Sequence, residues 1–164
     1  MPETAVKAAA IRKKIMGENP PKDGKMFFSV ERFDYTKGIK EKLAAYRRYF
    51  EKYPERVGKD TLYQVAVTNR RSVQTYRVYQ DICLDMAKKI NEEFHDPRRP
   101  EWKPLIFQTD GLPRPELVAA YMAMDIGVVT PKKDGMNLVS KRKKEVCLTT
   151  YRIPTVICGF WKAK

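Results

Sequence analysis

The stretch K-M-F-F-S-V-E-R-F-D-Y-T-K-G-I, Lys25 to Ile39, changes character twice along its length. Lys25 to Val30 is a short apolar run between Gly24 and a polar loop, the pattern of a strand buried on both faces. The loop carries two cations, Arg32 and Lys37, and Gly38 allows close backbone approach just before an amphipathic segment begins at Ile39. A buried strand, a short loop and a helix form the opening unit of a parallel α/β sheet.

The same rhythm runs in both directions from this unit. Upstream, residues 3–17 are rich in helix formers, bring Val6, Ala9 or Ala10, and Ile11 to helical spacing, and stop at Gly17. Downstream, Ile39 to Tyr53 predicts a helix with Leu43, Tyr46, Phe50 and Tyr53 on one face, ended by Pro54. Strands are expected at 61–68, 104–108 and 126–130. A long helix is expected over Ser72 to Phe94, with Val73, Tyr76, Tyr79, Ile82, Cys83, Met86 and Ile90 on its buried stripe. Glu116 to Met124 reads as a short helix, a further helix begins near Asn137, and one more strand falls around Thr155 to Cys158. The fold class is therefore α/β, a Rossmann-like parallel sheet with helices on both faces.

Composition narrows the classes. The chain has 164 residues, 43% hydrophobic and 32% charged with 8 Gly, which suits one globular domain and excludes disordered and collagen-like chains. No run approaches the roughly 18 apolar residues of a membrane span, and the N-terminus lacks the order of a signal peptide. The expectation is a cytoplasmic chain without membrane contact. Cys83, Cys147 and Cys158 are odd in number, lack CxxC spacing and lie in apolar surroundings, as buried reduced thiols do. With His95 as the single histidine, a His-based metal site is not expected. The net charge of +13 suits nucleic acid, a membrane surface or a phosphorylated small molecule. No RRM, KH or helix-turn-helix signature accompanies it, so nucleic acid is disfavoured, and the basic run Lys141 to Lys144 reads as a solvated helix face.

Ligands of an open parallel sheet bind at the carboxyl ends of its strands, where helix N-termini present N–H groups. Two loops suit that role. The first holds Arg32 and Lys37. The second, P-K-K-D-G-M-N-L-V-S-K, combines the carboxylate of Asp134, Gly135, the amide of Asn137 and a helix start whose N–H groups at Leu138 and Val139 would face an anion. Sugar hydroxyls prefer carboxylate and backbone partners, phosphates prefer N–H groups and cations, and together the loops suit a sugar phosphate. Ordinary alternatives stand beside this reading: a D-G turn, a helix cap at Asn137, and an ion pair of Arg32 with Asp34 or Glu31. Neither loop is a GxGxxG fingerprint or a P-loop.

V-E-R-F-D-Y-T-K-G-I-K-E-K-L together with D-I-G-V-V-T-P-K-K-D-G-M-N-L-V-S-K resembles the paired signature of the donor domain of trehalose-6-phosphate synthases, retaining glycosyltransferases of the two-domain GT-B class. The resemblance runs from about residue 4 to Lys141 and includes Q-V-A-V-T-N-R-R and F-Q-T-D-G-L-P-R-P-E-L. It implies transfer of glucose from UDP-glucose to glucose 6-phosphate in trehalose biosynthesis, with retention and without a bound metal or other cofactor. It implies that Arg32 and Lys37 hold the donor diphosphate and that Asp134 binds a glucose hydroxyl, these three being the catalytic candidates. Gly135, Met136 and Asn137 face the sugar, Leu138 and Val139 contact phosphate, and Leu112 lies near uracil. In the family motif a Glu that holds the ribose follows the Lys directly. Here Arg142 follows Lys141 and Glu145 comes after an insertion, so Glu145 is the displaced candidate.

On this resemblance residues 1–145 form the UDP-glucose-binding domain, 146–164 a divergent tail, and the chain a truncated C-terminal half of a GT-B enzyme. Its partners are then the two sugar substrates and a missing N-terminal GT-B domain, with self-association left open. Alone, it is expected to turn over little. A catalytically inactive homologue that binds sugar phosphate or regulates a synthase complex is the alternative.

Overall fold

The computed structural model describes residues 2–69 and 71–132 and the backbone of residues 146–148. Helix α1 (Pro2–Met16) precedes strand β1 (Met26–Arg32), followed by α2 (Ile39–Lys52), β2 (Thr61–Val67), α3 (Gln74–Glu93), β3 (Leu105–Gln108), α4 (Arg114–Ala123), β4 (Ile126–Val129) and β5 (Val146–Leu148). The strands form one sheet in the order β3-β2-β1-β4-β5, with parallel pairing throughout. The expected parallel α/β sheet is therefore present.

Period-two alternation in β1 divides the apolar residues between two cores. Met26 and Phe28 pack with Ile15, Met16, Tyr63, Val65 and the alanines 119, 120 and 123 beneath α1 and α4. Phe27 packs with Leu43, Tyr46, Phe50, Leu62, Cys83 and Ile90 beneath α2 and α3. Helices thus cover both faces, and β1, central in the order, is buried on both sides.

At the amino ends of the strands a buried ionic latch fixes the turn between α2 and β2. Asp60 is fully buried and accepts from the Lys25 N–H at 2.8 Å, the Tyr49 hydroxyl at 2.5 Å and Arg56 Nε at 2.7 Å. Arg56 is held by the short 3-10 turn Pro54–Arg56 that follows α2, and also reaches Asp23 at 3.0 Å. Burial and the neighbouring Asp60 carboxylate push the Tyr49 phenol well above its ordinary pKa.

Some placements differ from expectation. Val6, Val73 and Ile82 are exposed, while Ala8, Ile15 and Met16 are buried on α1, and on α3 Gln80 and Ala87 are buried along with the expected Cys83 and Ile90. Val73 precedes α3 rather than belonging to it. Strand β5 was not anticipated, and it pairs Val146 to Leu148 with Gly127 to Val129. The expected helix near Asn137 and strand at 155–158 lie outside the described residues. Cys83 is buried and reduced, whereas the side chains of Cys147 and Cys158 also lie outside the described set. Among the described residues no helix is long and apolar enough to cross a membrane.

Candidate functional site

The carboxyl ends of β1 and β4 lie side by side, although β1 leads into β2 on one flank and β4 pairs with β5 on the other. Strand order reverses here, and in open α/β sheets this is where a ligand crevice opens. The loop after β1 is shaped by Asp34, whose carboxylate caps the 3-10 turn Tyr35–Lys37 by accepting from the Thr36 N–H at 2.9 Å and its hydroxyl at 3.1 Å. Gly38 then adopts a left-handed conformation, φ +66°, and α2 starts at the next residue.

The loop after β4 is stitched to this turn. The Lys132 N–H donates to the Thr36 carbonyl at 2.8 Å, the Thr130 hydroxyl donates to the Gly38 carbonyl at 3.3 Å, and the Lys132 ammonium pairs with Glu41. A Cβ on Gly38 would lie 2.1 Å from the Thr130 carbonyl oxygen. The β1 loop therefore meets the start of the β4 loop, Thr130 and Lys132, at the switch point, while residues 133–141 of the second loop lie outside the described residues.

Arg32 ends β1 with its side chain 58% exposed, and its Nη2 is 3.8 Å from Asp34. At that distance and exposure the pair contributes about 0–1 kcal/mol at most. Glu31 faces Lys42 instead. The expected competing ion pairs of Arg32 are thus one long contact and one already committed partner. Lys37 closes the 3-10 turn, half-buried, with its N–H donating to the Asp34 carbonyl at 3.1 Å. Leu112, on the loop between β3 and α4, is half-buried and packs against the α1–α4 core. Asp134, Gly135, Met136, Asn137, Leu138, Val139 and Glu145 lie outside the described residues. Among the described residues no group of three or more His, Cys, Asp or Glu is arranged to hold a metal ion.

Two buried polar side chains that the sequence reading passed over support these loops. Gln80 of α3 donates through Nε2 to the Phe33 carbonyl at 3.2 Å and the Asn69 carbonyl at 3.1 Å, and its Oε1 accepts from Arg71 at 3.2 Å. It pins the β2–α3 loop to the β1–α2 loop. Beside them, the Tyr35 and Tyr76 rings meet edge-on with centroids 5.8 Å apart. Lys42, buried on α2, reaches Ser29, Glu31 and Gln64 of the two strands beneath that helix. Helical phase could have found both: Lys42 falls in the stripe of Ile39, Leu43 and Tyr46, and Gln80 in that of Tyr76, Cys83 and Ala87.

The family model for glycosyltransferase family 20 matches residues 2–150. A Caenorhabditis elegans relative described as alpha,alpha-trehalose-phosphate synthase [UDP-forming] 2 is 72% identical over 141 residues, covering 86% of this chain and 12% of its own length. A structure described as trehalose-6-phosphate from E. coli bound with UDP-2-fluoro glucose superposes with a TM-score of 0.73 at 31% identity, over 90% of this chain and 34% of that one. An alpha,alpha-trehalose-phosphate synthase from Burkholderia xenovorans in complex with glucose-6-phosphate gives a TM-score of 0.73 at 26% identity over the same shares. The chain thus spans only a small part of the length of these relatives.

Proposed function

This chain belongs to glycosyltransferase family 20, and from that premise we propose that residues 1–145 bind the UDP-glucose donor of a trehalose-6-phosphate synthase reaction. The observation that carries the reading is the junction of the two loops at the switch point, where the Lys132 N–H bonds the Thr36 carbonyl and Gly38 abuts Thr130. Arg32 and Lys37 flank that junction on the β1 side. On the other side the chain continues directly into Asp134 and the D-G-M-N-L-V segment.

As the bond between glucose and UDP breaks, negative charge builds on the departing diphosphate. Cations already fixed in place stabilise that charge more than they stabilise the bound substrate, which is how they lower the barrier. Arg32 offers a planar fork for two phosphate oxygens, and Lys37 a compact charge at the start of the α2 N-terminal turn. In this reading Asp134 holds a glucose hydroxyl, Leu138 and Val139 present N–H groups to phosphate, Leu112 borders uracil, and the diphosphate is neutralised without a metal. In this reading the acceptor is glucose 6-phosphate, which is the sugar phosphate in the Burkholderia complex.

Calorimetric titration of the chain with UDP tests the assignment. Each charge-assisted hydrogen bond is worth roughly 1.5–3 kcal/mol, so Arg32→Ala and Lys37→Ala should each weaken UDP binding by about 10- to 150-fold. Equal affinity of both variants and the parent chain would remove the diphosphate role.

A further inference from the structure

Lys42 is 3% exposed, and its ammonium has three partners: Glu31, the Ser29 hydroxyl at 2.6 Å and Gln64 Oε1 at 3.0 Å. Ser29 also has Glu31 Oε2 and the Val128 carbonyl each at 2.7 Å, so its single proton goes to one of them. Ser29 and Gln64 are register partners on β1 and β2. One cation on the first turn of α2 is thereby bonded to β1 and β2 and, with Glu31 already held by Lys42, leaves the Ser29 proton for the Val128 carbonyl of β4. These are the elements whose ends carry the loops of the crevice.

We propose that Lys42, with Glu31 and Ser29, is a positioning residue for the diphosphate site, setting where Arg32 and the Lys37–Gly38 turn stand relative to Thr130. The inference rests on the donor-binding reading above. Glu31 immediately precedes Arg32 in β1, so anchoring its carboxylate fixes the point from which the Arg32 guanidinium projects. The Lys42 N–H closes the first helical bond of α2 on the Gly38 carbonyl at 2.9 Å, so the same residue ties the helix start to the sheet below it.

Stability alone gives little reason for the pair. A buried ion pair is often replaceable by apolar side chains at no net cost, because desolvation cancels much of the attraction. Here burial opposes the charged form of Lys42 and the Glu31 carboxylate supports it. The neighbouring stripe of Ile39, Leu43 and Tyr46 would accept a methionine in its place. What an apolar pair would lose is the directional link among four elements. Glu31 and Lys42 together carry no net charge, so their influence on a bound diphosphate runs through geometry rather than through their own field.

The test compares the 164-residue chain with the double variant Glu31→Gln/Lys42→Met and with Ser29→Ala. The readouts are thermal unfolding, UDP affinity and affinity for uridine, which lacks the diphosphate. Expected is a double variant unfolding within ~4 °C of the parent, with UDP affinity reduced about tenfold or more and uridine affinity unchanged. A folded double variant that keeps parental UDP affinity, or loses UDP and uridine alike, overturns the inference. If the double variant does not fold, Ser29→Ala is judged by the same two ligands, and failure of both variants to fold makes the network purely structural and overturns it as well. No UDP binding by the parent chain would instead sink the donor-site reading, and this inference with it.

Discussion

At Gly38 two requirements coincide: a left-handed backbone, φ +66°, and a contact in which a Cβ would sit 2.1 Å from the Thr130 carbonyl oxygen. Gly38→Ala is therefore expected to cost at least about 1–3 kcal/mol from backbone strain alone, read as a lowered denaturant midpoint, with UDP affinity falling too because the loops separate. The sequence marked this glycine as a place of close backbone approach. It could not say that the approaching backbone would be the chain's own, because that depends on β4 lying beside β1. Arg32 and Lys37 were legible as cations close to the end of a buried strand, although Arg32 proves to be the last residue of β1 and only Lys37 lies in the turn after it. Cys83 was legible as a buried thiol, and burial raises its pKa to about 11. Thiolate is then scarce at pH 8, so the native chain should leave Cys83 unmodified by iodoacetamide while denaturation exposes it. Peptide mapping of the labelled protein checks this, and rapid native labelling of Cys83 would contradict the packing.

Among the elements, the strands and helices were readable where apolar spacing was strong, and β1, β2 and α2 fall within a residue or two of their expected limits. Errors occurred where a polar residue belonged to the core. Lys42 and Gln80 lie in phase with apolar stripes, yet periodicity counts only hydrophobic residues, and on α3 it gave Ile82 a buried place that Gln80 and Ala87 hold. Strand β5 has three residues beside a basic run, too short to give a pattern of its own. The Asp60 latch between α2 and β2 belongs to this scale as well. Asp60→Ala would take from the buried Arg56 guanidinium its buried carboxylate partner and leave Tyr49 and the Lys25 N–H without their acceptor. Removing one partner of such a pair typically costs about 3–5 kcal/mol, and a urea unfolding curve should show it. A loss under about 1 kcal/mol would mean that Asp23, also bonded to Arg56, suffices alone.

Over the whole molecule, the fold class followed from the repeated alternation of strand and helix, and the two distant loops were singled out by their place at the carboxyl ends of strands and paired as one site by the motif resemblance. Strand order was not legible, because a parallel sheet of given elements admits several orders, and only tertiary packing selects the one that sets β1 against β4. That neighbour relation also governs how the protein acquires its site. The Met26 N–H bonds to the Asp125 carboxylate across a sequence separation of 99 residues, whereas α1, α2 and α3 are each built from local contacts. Closing so long a loop is slow relative to forming helices. During refolding, far-UV circular dichroism should recover before UDP binding does, and simultaneous recovery would contradict that order. A ribosome, likewise, must release β4 before β1 gains the neighbour that completes the crevice, so the segment carrying both cations waits for the strand that gives it a purpose.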